Sequence, residues 1–277
     1  MIRLNDAHDN AIDDKAVLEK IAPMNLNDTI IVIPSKREPP IQTLYSFPTD
    51  REIMLISDPS MLHKHREWVK GEGFNNVMVC RGSVGMIPQS AECYVQAWQA
   101  GFKYYFRMDD DLHEKMFVHK DGHICLLEEA MQTARHCASV TGLSLCGFQN
   151  TSVRYYMGEG YKRSYGLIHG GAHLARACSD RWKYLDPSLP AYEDVYRSAA
   201  HREQDGAVGR VAFIGLDKRS TLRESSMSKT PEVIAKAKEI ILSRFPDSVT
   251  CDGERVLDDG RQVIPNWRLV RGSTWKP

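Results

Sequence analysis

The sequence contains no CxxC pair, although seven cysteines are scattered singly at Cys80, Cys93, Cys125, Cys137, Cys146, Cys178 and Cys251. An odd set of isolated thiols does not build a disulfide framework, and this spacing argues against a zinc site made of cysteines. They read as reduced, mostly buried side chains of a cytoplasmic protein. No apolar run approaches the ~20 residues needed to cross a bilayer. The first 14 residues are polar and acidic, with no basic start followed by an apolar stretch, so no secretory leader is expected. Charge of one sign is missing too: 36 Lys and Arg face 36 Asp and Glu, for a formal net charge of zero. That excludes a globally basic polyanion binder. There is no GxxxxGK phosphate loop, no internal repeat and no low-complexity segment. The 277 residues, 42% hydrophobic and 26% charged, suffice for one large soluble domain with an appendage.

The charge that is present is uneven. The first 28 residues carry Asp6, Asp9, Asp13, Asp14, Glu19 and Asp28 against Arg3, Lys15 and Lys20. From Gly260 to Pro277 there are Arg261, Arg268, Arg271 and Lys276 and no acid. The stretch from Arg154 to Lys183 is net basic as well. A neutral chain can therefore still present a basic face.

Hydrophobic periodicity and Gly/Pro punctuation predict strands at Thr29–Pro34, Glu52–Ser57, Asn76–Cys80, Tyr104–Met108, Leu143–Phe148 and Val211–Leu216. They predict helices at Met61–Lys70, Ser90–Ala100 (with Ser90 as cap), Leu126–Val140, Glu193–His201 and Pro231–Ser243. Strand and helix alternate through the first half, which predicts an α/β fold with a mostly parallel sheet flanked by helices.

Five features carry chemistry. The apolar strand at 104–108 delivers Asp109, Asp110 and Asp111 at its carboxyl end, where open α/β sheets bind ligands. In an extended backbone Asp109 and Asp111 share a face, and together they suit a hard divalent cation, Mg2+ or Mn2+. The bland alternative is a polar turn. Pro34, Ser35, Lys36 and Arg37 open the loop after the first strand and place cations near a uridine or its phosphates, or form a solvated turn. Glu193 and Asp194 start a helix after Pro190, either as helix caps or as a general base. His169, Gly170 and Gly171 let a ligand approach the backbone, or make a tight turn around a satisfied histidine. Finally, Trp267 and Trp275 lie among Arg261, Arg268, Arg271 and Lys276, a composition that suits a nucleic-acid or carbohydrate face, or a tail packing two tryptophans on the core.

Taken in order, these motifs resemble the GT-A fold glycosyltransferases. More narrowly, they resemble the bacteriophage TET-associated branch that sugar-modifies hydroxymethylated pyrimidines in DNA. The similarity runs from about Thr29 to about Leu222 and draws also on Pro34–Arg37 and Ser225–Lys229. It implies a Rossmann-like single catalytic domain over 29–222, after an acidic segment at 1–28 and before a C-terminal helix and basic extension at 223–277. It implies a UDP-sugar donor, a divalent metal on Asp109 and Asp111, and Asp110 toward the donor ribose or sugar. Asp194 becomes the base candidate with Glu193 beside it, and His169, Gly170 and Gly171 fall on the acceptor side. Duplex DNA bearing 5-hydroxymethylcytosine, bare or already glycosylated, becomes the acceptor, held by Arg261, Arg268, Arg271 and Lys276. No membrane is involved, and the location is the host cytoplasm for a phage-encoded chain. One departure stands out: many GT-A enzymes use a late histidine as a further metal ligand, and here the last is His201, inside a helix, leaving Asp217 or water as substitutes. Two other readings stay open: a GT-A enzyme acting on a glycan, lipid or protein, and a non-catalytic nucleotide-binding module or nucleotidyltransferase.

Overall fold

The computed structural model describes residues 24–217, 230–256 and 263–269. The chain runs through β1 (Thr29–Ser35), α1 (Gln42–Ser46), β2 (Ile53–Ser57), α2 (Leu62–Glu72), β3 (Val77–Arg81), α3 (Met86–Gln99) and β4 (Tyr104–Met108). It continues through β5 (Phe117–His119), α4 (Leu127–Thr141), β6 (Leu145–Gln149), β7 (Tyr161–Ser164) and β8 (Ala172–Arg176). The last elements are α5 (Glu193–Asp205), β9 (Val208–Leu216), α6 (Pro231–Arg244), β10 (Val249–Val256) and β11 (Val263–Leu269).

Nine strands form one sheet in the order β3-β2-β1-β4-β8-β6-β9-β5, with β7 also on β9. The half from β3 to β4 is wholly parallel. Beyond it β8 runs antiparallel to both neighbours, β6 and β9 pair in parallel, and β5 and β7 run antiparallel to β9. A separate antiparallel pair, β10–β11, follows α6.

Successive side chains of a strand point to opposite faces, and here both faces are buried. In β1, Ile31 and Ile33 join one core with Leu44 of α1, Val69 of α2 and Ala130 of α4. Ile30 and Val32 join the other with Ala91 of α3, Val195 of α5 and Ile241 of α6. This double burial is why the strands read as continuous apolar runs. Helices therefore flank the sheet on both sides, as the alternating pattern predicts.

The predicted elements recur with shifted ends. Helix α3 begins at Met86, four residues before the expected Ser90 cap. Pro88 sits in its first turn, where a missing N–H costs nothing, and Ser90 is buried rather than capping. Strand β1 passes through Pro34, which pairs in register with Ile56 of β2. The pairing of β1 with β4 ends at Val32, so no donor is needed on that side. Of the glycines expected to stop the helices, Gly73 and Gly142 end α2 and α4 with φ of 74° and 70°, while Gly71, expected to help stop α2, lies inside it. Four of the seven cysteines are buried. Among the described residues no helix is long and apolar enough to cross a membrane.

Candidate functional site

Strands β1 and β4 are parallel neighbours, so their carboxyl ends open side by side. This brings the loop after β1 onto the acid triplet. The Ser35 hydroxyl donates to Asp110 Oδ2 at 2.6 Å. The Arg37 guanidinium spans Asp110 (Nε to Oδ1, 3.1 Å) and Asp111 (Nη2 to Oδ2, 2.8 Å). Thr43, at the start of α1, closes the triplet's backbone: its hydroxyl donates to the Asp109 carbonyl at 2.6 Å and accepts from the Leu112 N–H at 2.9 Å. Strand β4 ends at Met108, and Asp110 and Asp111 lie in a turn. The triplet is therefore gathered by turn geometry and by Arg37, not by the strand alternation expected from the sequence.

Arg107 lies beneath the triplet with 1% of its side chain exposed. Its Nη2 reaches Asp109 Oδ1 at 3.1 Å, and its Nη1 lies 4.0 Å from Glu193 Oε1. One buried cation thus joins the end of β4 to the start of α5. The glycine pair completes the junction. The Asp109 N–H donates to the Gly171 carbonyl at 2.9 Å. A Cβ placed on Gly170 would meet Glu193 Oε1 at 3.6 Å, Asp194 Cβ at 3.8 Å and Arg197 Nη2 at 4.0 Å. The sequence features at 34–37, 109–111, 169–171 and 193–194 therefore meet at one place. Lys36 is exposed at its edge. His169 turns back on its own loop, its Nδ1 accepting from the Gly171 N–H at 3.0 Å.

Loss of solvent pushes the Asp109 carboxyl up, Arg107 opposes this, and Glu193 and Asp111 add to it. Burial likewise raises Asp110 to about 6, against the pull of Ser35 and Arg37. Crowded, partly desolvated carboxylates of this kind favour a cation or a proton.

The acid pair lies in the first turn of α5, where it complements the helix N-terminus, but neither acid is the N-cap residue. The N-cap of α5 is Tyr192, whose side chain makes no capping bond and whose backbone is left-handed (φ 63°, ψ 42°). Asp194 Oδ1 accepts from the adjacent Val195 N–H at 3.0 Å. His201 is withdrawn from any metal. It is fully buried, held by Ser144 Oγ at 2.7 Å and Tyr94 OH at 3.0 Å, and stacked on Tyr184. Asp217 donates its N–H to the Met116 carbonyl at 2.8 Å, and the Met116 methyl lies 3.2 Å from the Cβ that Gly171 lacks. It therefore reaches the same end of the sheet.

Sequence reasoning gave no role to Arg107 or Arg197, both fully buried, and His173, the second histidine of the Gly-Gly segment, is fully buried too. Arg107 and His173 are register partners on β4 and β8. The available signals were an arginine inside an apolar strand, and the i,i+4 spacing of Glu193 and Arg197. Arg261, Arg271 and Lys276, like Trp275 and Ser225–Lys229, lie outside the described residues. Arg268 is exposed and lies 3.9 Å from Asp252. Trp267 packs on Tyr192 with ring centroids 5.5 Å apart. In the basic stretch at 154–183, Arg163 is tied to the carbonyls of Thr141 and Asp205, and Arg181 is paired with Glu92.

No protein-family model matches the chain, and no curated protein matches it. Among solved structures it is similar to the crystal structure of S. aureus TarS 1-349 in complex with UDP-GlcNAc (13% identity, 78% of this chain and 65% of that one, TM-score 0.49). It is similar to GalNAc-T7 with UDP, GalNAc and Mn2+ (12% identity, 79% and 50%, TM-score 0.49). A third is the mannosyltransferase PcManGT from Pyrobaculum calidifontis in complex with GDP-Man and Mn2+ (8% identity, 68% and 54%, TM-score 0.41). This chain spans less than two thirds of each of them.

Proposed function

We propose that this chain is a GT-A type glycosyltransferase that takes a sugar from a UDP-sugar, with Asp109, Asp110 and Asp111 at the donor diphosphate. One observation carries the proposal: three consecutive carboxylates gathered at the carboxyl ends of two adjacent parallel strands, with Ser35 and Arg37 holding them from one side and Arg107 from beneath. A divalent ion fits this donor set. The oxygens are hard ligands, and loss of solvent, with neighbouring negative charge added, pushes the Asp109 and Asp110 carboxyls up, a cost that a bound cation relieves. Asp109 and Asp111 would hold the ion. The chemistry supplied by bound Mn2+ or Mg2+ is neutralisation of the charge that develops on the leaving diphosphate.

The remaining roles belong to the protein's own groups. Arg37 and Lys36 face the nucleotide phosphates, and Asp110 faces the ribose or sugar. The Gly170–Gly171 backbone lets an acceptor approach beside Glu193 and Asp194. Asp194, half-buried at the first turn of α5, takes the proton from the acceptor hydroxyl if the anomeric centre inverts, and orients the acceptor if it is retained. For the acceptor we propose a 5-hydroxymethylpyrimidine in duplex DNA, as the motif resemblance implies. The exposed Arg268 and the acid-free run at 260–277 support it.

The test is incubation of the protein with radiolabelled UDP-sugars, Mn2+, and hydroxymethylated or plain DNA. Transfer to hydroxymethylated DNA alone is expected. Transfer to an added glycan, lipid or protein instead overturns the acceptor. Asp109→Asn and Asp111→Asn are expected to cut kcat by orders of magnitude and to weaken Mn2+–UDP binding in calorimetry; unchanged affinity in both would sink the donor site. Asp194→Ala is expected to slow transfer by ~10²–10⁴-fold with UDP binding intact.

A further inference from the structure

Away from the acid triplet, the segment that leaves it folds into a tight hairpin. Strand β5 ends at His119, the turn passes through Lys120–Gly122, and the chain returns through His123 to Cys125. The His119 N–H donates to the His123 carbonyl at 2.9 Å, and the Cys125 N–H to the Phe117 carbonyl at 2.9 Å. Alternate residues His119, Asp121, His123 and Cys125 thereby come together and meet Glu129 in the first turn of α4. Asp121, Glu129 and His119 also line a cavity of about 670 Å3 whose other walls include Gln132, Tyr161 and Phe213.

From this cluster we infer a second metal site, for a borderline-soft transition ion of the Zn2+ class, with His123 Nε2, Cys125 Sγ and Glu129 Oε1 as ligands and Asp121 as the carboxylate that orients His123. The three ligand atoms lie within 4.8 Å of one another. His123 Nε2 is 3.2 Å from Glu129 Oε1 and 3.8 Å from Cys125 Sγ. Neighbouring ligand atoms on a tetrahedral zinc, with bonds of about 2.0–2.3 Å, stand about 3.3–3.6 Å apart. On the far side of the same ring, His123 Nδ1 lies 2.7 Å from Asp121 Oδ1. A carboxylate there fixes the tautomer that leaves Nε2 free to bind a metal. The alternative trio of His119, Asp121 and His123 is poorly aimed. The two imidazoles stack 4.6 Å apart with only 19° between their planes, so their in-plane lone pairs do not converge on one ion.

The donor set also separates this site from the acid triplet. A thiolate, an imidazole and a carboxylate select zinc-like ions, whereas Mg2+ and Mn2+ prefer all-oxygen sites. The thiol loses its proton when the ion binds. Cys125 is 1% exposed and Glu129 belongs to α4, so the ion would clasp the hairpin onto the first turn of that helix. The segment between the donor site and α4 would then be fixed at both ends. The site does not depend on the proposed transferase activity.

The competing arrangement is a His123 imidazolium bridging Asp121 and Glu129 with no ion. Titration of the chelator-treated full chain with Co2+ separates the two. One equivalent giving a thiolate-to-cobalt charge-transfer band, abolished by excess Zn2+, is expected. The band should vanish in Cys125→Ser and in His123→Ala, and Asp121→Asn should weaken binding by about 10–100-fold. Since Cys125 is buried, Cys125→Ser can fail to fold. His123 is exposed, and His123→Ala keeps the test decisive: zinc should raise the melting temperature of the wild type and leave that of this variant unmoved. A wild type with no thiolate band, or a band that survives in His123→Ala, overturns the site.

Discussion

Arg107 stands in a strand otherwise made of Tyr104, Tyr105, Phe106 and Met108, and it is as buried as they are. Its guanidinium is tolerable there only because Asp109 and Glu193 face it. Removing one partner of a buried charge pair strands the other, at a cost of roughly 3–5 kcal/mol. Arg107→Met is therefore expected to destabilise strongly. Combined with Asp109→Asn it should cost clearly less than the sum of the two single changes, because each removes the other's reason for being charged. Urea unfolding of the four-member cycle measures this, and additivity would show that the two residues do not communicate. Three buried histidines set a second residue-scale expectation. Burial lowers His65, and it holds His173 and His201 well below the ordinary histidine range; the nearby Arg197 pushes both in the same direction. Their folded values lie below the unfolded value of about 6.5, so the stability they allow is complete above that pH and is lost as pH falls through it. Each contributes a slope of up to about 1.4 kcal/mol per pH unit. Burial, with the charges of Arg197 and Arg107, lowers His173, against the Gly170 backbone, which acts to raise it. His173→Leu should therefore flatten the acid limb by about one proton's worth in denaturant unfolding between pH 7 and 5. An unchanged slope would mean that folded His173 takes up its proton over the same range as the unfolded chain, so that burial does not depress it.

At the scale of the element, the start of α5 is where local preference yields to packing. Tyr192 adopts φ 63°, which costs an L-residue roughly 1–2 kcal/mol. Burial of its ring against Trp267 of β11 offsets that cost. The β10–β11 pair thus acts as a buttress for the turn that aims Glu193 at Arg107 and Gly170. Trp267→Ala is expected to destabilise by roughly 1–3 kcal/mol. In hydrogen exchange it should loosen the amides of 193–197 more than those in the second half of α5. Uniform exchange along the helix would show that the hairpin and the turn are uncoupled.

At the scale of the whole molecule, the proposed acceptor is a polyanion, which a chain of zero net charge holds through a local face. Phosphate contacts release counterions, so four of them give a slope of log K against log salt of roughly −3 to −4. A gel-shift series on hydroxymethylated duplex at two salt concentrations should show that slope for the parent. It should be shallower by about one for Arg268→Ala, even though Arg268 is partly engaged by Asp252. A parent without salt-dependent binding would move the glycan, lipid or protein acceptor ahead.

The order of β1–β4, β6 and β9 and of α2–α6, and the position of the acid triplet at the end of β4, were legible in the sequence, whereas α1, β5, β7, β8 and the β10–β11 pair were not among the predicted elements. What was legible depends on contacts within a few residues: two-residue alternation, helical periodicity, and the fixed backbone habits of proline and glycine. The shifted start of α3 shows the limit of that locality, because whether Ser90 caps or is buried is decided by the sheet beneath it. The site's wiring was not legible. Arg37 meets Asp111 across 74 residues of chain and Ser35 meets Asp110 across 75, because β1 lies beside β4. Arg107 meets Glu193 and His201 is drawn into the core for the same kind of reason. Sequence periodicity says which face of an element is buried. Only the order in which the strands pair, and the helices they bring over them, decides which buried charge stands next to which.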